Sequence, residues 1–112
     1  MNRVKVTASF KKEAKALKKR YVSFDSDYEK LLDELEENPQ IGIDLGGGLR
    51  KVRMRITSKG RGKSGGARVI TFTVVLSVDE VDINLLYIYD KAERSSISMK
   101  EIDELLCKNN LK

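Results

Sequence analysis

Between Arg50 and Arg68 the chain carries Arg50, Lys51, Arg53, Arg55, Lys59, Arg61, Lys63 and Arg68, and no acid. Within that run Lys51, Arg53 and Arg55 alternate with Val52, Met54 and Ile56. A strand sends alternate side chains to opposite faces, so this spacing predicts one apolar face and one wholly basic face. Like charges on one face repel each other, and stability alone gives little reason to place them there. The chemistry they suit is phosphate binding, by charge and, for arginine, by a planar fork of donors. From Asp25 to Glu37 the balance reverses, with Asp25, Asp27, Glu29, Asp33, Glu34, Glu36 and Glu37 against Lys30. Such segregation points to one surface that faces a polyanion, and RNA is the expected one.

The chain has no histidine. A Ser-His-Asp triad, a Cys-His nucleophile pair and a two-histidine ribonuclease are therefore excluded, as is zinc held by mixed cysteine and histidine. Acid–base chemistry falls to Lys, Arg, Tyr, Asp or Glu. Gly62-Lys63-Ser64 superficially matches a nucleotide-binding phosphate loop, but Thr57 stands where that motif needs its first glycine. A strand, not a helix, is expected to follow, so no helix N-terminus is available for the phosphate. A cationic loop touching a phosphate backbone fits the residues better. The acids of Asp25–Glu37 show no metal-ligand pattern and read as helix capping and solvation. Cys107 reads as a packing residue of the last helix rather than a nucleophile.

The positioning elements follow from periodicity. The 112 residues are 40% hydrophobic and 35% charged with a net charge of +5, which suits one domain, residues 1–112, with one core. Val4, Val6 and Ala8 alternate with polar residues as in a half-buried strand. Phe10, Ala14, Leu17 and Tyr21 then fall at helical spacing, and the lysines around them either meet nucleic acid or form a solvated face. A second helix is expected from Ser26, with Ser26-x-x-Glu29 as a capping box, and is stopped by Asn38-Pro39. Gly46 to Gly48 make a turn before the basic strand. Ala67 to Leu76 is apolar on both faces and reads as a central strand, and Ile83 to Tyr89 as another inner one. Tyr87 and Tyr89 share a strand face; Tyr87 is assigned to the core and Tyr89 lies within reach of a ligand. A last helix starts at Ser98, capped by Ser98-x-x-Glu101, with Ile102, Leu105 and Leu106 buried. The fold class is α+β in the order β-α-α-β-β-β-α. No apolar run approaches the roughly 20 residues that cross a bilayer, and the start lacks a signal peptide's apolar stretch. The single cysteine agrees with a reducing compartment, so the cytoplasm is expected.

Four stretches are recognisable together: Asn38-Pro39-Gln40-Ile41-Gly42, Gly47 to Arg53, Ser58 to Ile70, and Leu85 to Lys91. Their order and spacing resemble the RelE/HigB toxins of bacterial toxin–antitoxin pairs, from about Phe10 to Leu106. The resemblance implies a compact, mostly antiparallel sheet with helices packed on one side. It also implies a ribosome-dependent endoribonuclease that cleaves mRNA by attack of a ribose 2′-oxygen on the adjacent phosphate, with no metal or nucleotide. By position, Arg68 is implied to stabilise the scissile phosphate, Lys51 to act as base, Arg53 to neutralise the phosphorane, and Lys91 to contact phosphate or protonate the leaving group. Arg55, Lys59, Arg61 and Lys63 are implied to hold RNA without reading sequence. Some RelE proteins have a tyrosine matching Ser98 and an arginine matching Ala92, and HigB-like members often have a tyrosine pair where Thr71-Phe72 stands here. The implied partners are a helix-turn-helix antitoxin, the ribosome and mRNA, and not a membrane. The alternative on the same fold is a ParE-like, non-enzymatic inhibitor of DNA gyrase.

Overall fold

The computed structural model describes every residue except Arg61, Lys63 and Ser64. Its elements are β1 (Asn2–Val6), α1 (Ala8–Arg20), α2 (Phe24–Glu37), β2 (Ile43–Gly46), β3 (Leu49–Met54), a short 3-10 turn (Thr57–Lys59), β4 (Ala67–Val75), β5 (Val81–Asp90) and α3 (Met99–Lys108). The five strands stand in the order β1-β5-β4-β3-β2. The β1–β5 pair is parallel and the others are antiparallel. The α+β class is thus as expected, with β4 central and β5 inside. No helix among the described residues is long and apolar enough to cross a membrane.

Local chemistry explains the boundaries. Thr7 ends β1 and caps α1: its Oγ1 accepts from the Phe10 N–H at 3.1 Å and donates to the Leu85 carbonyl at 2.8 Å. Ala8 therefore belongs to the helix rather than to the strand. The second helix starts at Phe24, earlier than its Ser26 box predicts, with Ser23 as N-cap residue but no side-chain cap bond. Ser23 instead donates to Asp27 at 2.7 Å and accepts from the Ser58 N–H at 2.9 Å, so its hydroxyl fastens a distant turn. Ser98 and Glu101 do form the reciprocal capping box that their spacing predicts.

The strand β2 is an addition to the expected order. It is four residues long, mostly exposed, and offers too little alternation to be read in advance. Gly47 and Gly48 join it to β3 with φ of 60° and 87°, the left-handed pair that a two-residue hairpin requires.

The helices occupy both faces of the sheet, not one. Val52, Met54, Ala67 and Val69 pack with Phe10, Leu17, Leu31 and Leu35 of α1 and α2. Leu49 and Ile70, of opposite strand parity, pack with Ile102 and Leu106 of α3. A bulge between Ile70 and Thr71 puts both Leu86 and Tyr87 of β5 on the α3 side. Cys107 is exposed rather than packed. Tyr89, at 5% exposure, is more deeply buried than Tyr87, the reverse of the expected assignment.

Candidate phosphate-binding cleft

The register of β3 on β4 builds the site. Arg53 lies opposite Arg68, and Lys51 opposite Ile70. Lys51, Arg53, Arg68 and Ile70 therefore share one face, the one that α3 covers only in part through Leu49, Ile70 and Leu86. Directly opposed like charges destabilise an antiparallel pair, and an anion between them reverses that sign. Val52 and Met54 are buried while Arg53 and Arg55 are exposed, as the alternation predicts.

Lys51, Arg53 and Arg68 line a cleft of about 440 Å³ together with Lys91, Val52, Glu34 and Ile41, Gly42 and Ile43 before and within β2. All four residues expected to be catalytic, Lys51, Arg53, Arg68 and Lys91, thus meet in one concavity although they come from β3, β4 and the end of β5. Gly42 is required where it stands: at φ +89° a Cβ would approach the Lys51 carbonyl to 2.4 Å. Arg68 is only 8% exposed, and its guanidinium donates to its neighbour's Ala67 carbonyl at 3.3 Å. Lys91 is exposed; its ammonium donates to the Ser95 carbonyl at 3.2 Å, and its N–H to the Gly66 carbonyl at 3.1 Å.

The other basic residues divide. Arg55 lies outside the cleft, in a hollow of about 220 Å³ with Asp27, Lys30, Glu34 and Thr57. Arg50 turns to the β2 side, donating to the Gln40 carbonyl at 2.8 Å and lying 3.8 Å from Asp44. Lys59 does not extend outward. Its ammonium donates to Asp90 at 2.5 Å and to the Gly65 carbonyl at 3.0 Å, over the face of Tyr21. Arg61 and Lys63 lie outside the described residues.

Three residues gain importance that the sequence did not single out. Glu34 brings a carboxylate from α2 to the cleft wall, and only the folded position of an otherwise solvated acidic helix distinguishes it. Arg94 lies 5.9 Å from both the Tyr87 and Tyr89 rings and pairs with Glu101, which raises the Arg94 pKa and lowers that of Glu101. Asp90 is a buried acceptor, described further below. Tyr89 stands opposite Arg68. Burial raises its phenol pKa, against the pull of the Arg68 and Arg94 charges, and among the described residues its buried hydroxyl has no hydrogen-bond partner. The described residues include no cluster of three or more cysteines and carboxylates placed to hold a metal.

Fold and site together define a small α+β protein with a cation-lined cleft beside β3, a scaffold suited to a phosphodiester. A family model described as the RelE toxin of the RelE / RelB toxin–antitoxin system matches residues 2–109, nearly the whole chain. The chain belongs to the RelE toxin family: it is the toxin of a toxin–antitoxin pair, with a cognate antitoxin as partner.

Proposed function

We propose that this toxin is a metal-independent endoribonuclease that cuts mRNA on the ribosome. The observation that carries the reading is the convergence of Lys51, Arg53, Arg68 and Lys91 on one cleft in a chain without histidine. Lys51 takes the proton of the ribose 2′-hydroxyl, and the oxygen attacks the adjacent phosphorus. The P–O5′ bond breaks as the new O2′–P bond forms, and Lys91 gives its proton to the departing O5′. The products are a 2′,3′-cyclic phosphate and a free 5′-hydroxyl. Arg68 and Arg53, at paired positions of β4 and β3, hold the negative charge that grows on the phosphorane, where fixed donors act most strongly. Arg55, and Arg61 and Lys63 of the loop, hold the RNA backbone; Lys59 serves them from within. The antitoxin is of helix-turn-helix type, and the complex works in the cytoplasm.

The test is induced expression with mapping of mRNA 5′ ends. Ribosome-dependent cuts with 5′-hydroxyl ends are expected for the wild type, with a loss of about 10²–10³-fold in rate for Arg68→Ala. Cuts that persist undiminished in Arg68→Ala, or no cuts alongside inhibited gyrase supercoiling, would discard the mechanism.

A further inference from the structure

The Asp90 carboxylate, with its side chain fully buried, joins three parts of the chain: the end of α1, the turn at Lys59 and its own segment after β5. It accepts from the Lys59 ammonium, from the Tyr21 hydroxyl at 2.5 Å and from the Ala92 N–H at 2.9 Å, and it lies 3.2 Å from Arg20. Lys59 is correspondingly enclosed, its side chain 10% exposed, and the same ammonium reaches the Gly65 carbonyl. The next residue, Gly66, accepts from the Lys91 N–H. Gly66 itself packs so close to β3 that it has no room for a side chain: a Cβ there would lie 2.1 Å from the Met54 carbonyl. Arg68 follows two residues later, and Lys91 directly follows Asp90.

A surface lysine meant for RNA would leave its charge in water. This one gives it up to a buried carboxylate at the end of β5, beside the segment that leads into β4. Lys91 also lines a second hollow, of about 440 Å³, whose other walls are Lys59, Gly65 and Ala92. The hollow lined by Lys59 and the cleft are therefore neighbours that share Lys91. Burial alone would raise the Asp90 pKa, but hydrogen bonds from Lys59, Tyr21 and Ala92 outweigh it and hold the carboxyl below its ordinary value. The Asp90 carboxylate is therefore ionised at neutral pH.

We propose that Lys59 is a positioning residue, whose ion pair with Asp90 fixes the distance between Arg68 and Lys91 across the cleft. The proposal rests on the cleavage reading for its catalytic consequence, but its structural half stands apart from it. A misplacement of about 1 Å between reacting groups costs on the order of a hundredfold in rate. Loss of the lock acts on kcat, since Lys59 itself does not meet the RNA.

The experiment compares the wild type with Lys59→Met and with the double variant Lys59→Met/Asp90→Asn. The double variant removes both buried charges together and so keeps the chain foldable if the single one fails. Ribosome-dependent cleavage gives kcat and KM, and amide hydrogen exchange reads the Lys91 N–H. The expected result is a kcat at least tenfold lower with KM within threefold, and a Lys91 amide that exchanges at least tenfold faster. Leu106→Ala, a core change under α3, serves as a control for destabilisation and is expected to keep its kcat. Wild-type kcat in both variants, an effect confined to KM, or an equal loss in Leu106→Ala overturns the proposal. If the wild type cuts no RNA, the cleavage reading fails; unchanged Lys91 exchange in the variants then still overturns the lock, and faster exchange supports it.

Discussion

The base of the β3–β4 connection is fastened a second time, by Asp27, and this fastening predicts a pH-dependent stability. Asp27 is 4% exposed and accepts three bonds: from the Ser23 hydroxyl at 2.7 Å, the Thr57 N–H at 2.8 Å and the Thr57 hydroxyl at 2.5 Å. Burial would raise its pKa, but the bonds from Thr57 and Ser23 outweigh it and hold it below the ordinary value. Asparagine fits the same space. Its oxygen can accept from Ser23 and the Thr57 N–H, while its amide donates to the Thr57 hydroxyl, turned to accept. What Asp27→Asn loses is the charge on these bonds, the step from roughly 1.5–3 to roughly 0.5–1.5 kcal/mol each, partly offset by no longer burying an ion. The expected cost is about 1–2 kcal/mol at pH 7, or about 4–8 °C in Tm for a chain of this size. A carboxyl depressed by folding contributes stability above its unfolded pKa and loses it as pH falls through the folded pKa. The gap between the two proteins should therefore begin to shrink below about pH 4 and go on shrinking as the pH falls further. Other paired carboxylates titrate in both proteins and cancel in the difference. Urea unfolding at pH 7, 4 and 2.5 measures it, and a gap of constant size across that range refutes the assignment.

Three further outcomes follow from the same geometry. If the four cleft cations each meet one phosphate of single-stranded RNA, log K should fall with log salt at a slope of about −3, and Arg68→Ala should flatten it by about 0.7; filter binding across a salt series gives both. Gly66→Ala should cost more than about 2 kcal/mol in urea unfolding, because its Cβ would meet the Met54 carbonyl at 2.1 Å and the Ile56 nitrogen at 3.0 Å. Tyr89→Phe removes a buried hydroxyl without a partner among the described residues, so stability should hold or rise by up to about 1 kcal/mol. Cleavage should also hold, since Lys91 rather than Tyr89 lines the cleft; a hundredfold loss on removing the hydroxyl would move the acid role to Tyr89.

The parts legible in advance were those written in local periodicity. The alternation from Lys51 to Ile56 placed the basic face, and the two-sided apolar run placed β4 at the centre, because each pattern has one cheap way to bury its apolar half. The strand β2 was not legible, since an exposed four-residue segment buries too little to leave a pattern. Ser26-x-x-Glu29 misled because Ser23, three residues earlier, is held by a turn more than thirty positions away, a contact no local rule contains. The α3 face was missed for a related reason. Leu49 and Ile70 interrupt a face read as basic, and only the strand register shows that they meet Ile102.

The same limit applies to the basic run, whose members look alike in sequence and differ only by what the fold puts beside them. Arg50 finds two carbonyls and a carboxylate on the β2 side; Lys59 finds Asp90, a carbonyl and an aromatic face. These two are satisfied from within, and their charges stabilise the hairpin and the loop base. Arg53 stands opposite Arg68 in the register of β3 on β4. Two cations at paired positions of an antiparallel ladder repel each other more than an uncharged pair would. An anion bound between them relieves the repulsion, and more so as its charge grows toward the phosphorane. That difference between ground and transition state is what accelerates a reaction rather than merely tightening a complex. In the cleavage reading proposed above, the register pair of Arg53 and Arg68 would serve that difference, whereas the sum of the charges would serve adhesion to RNA equally.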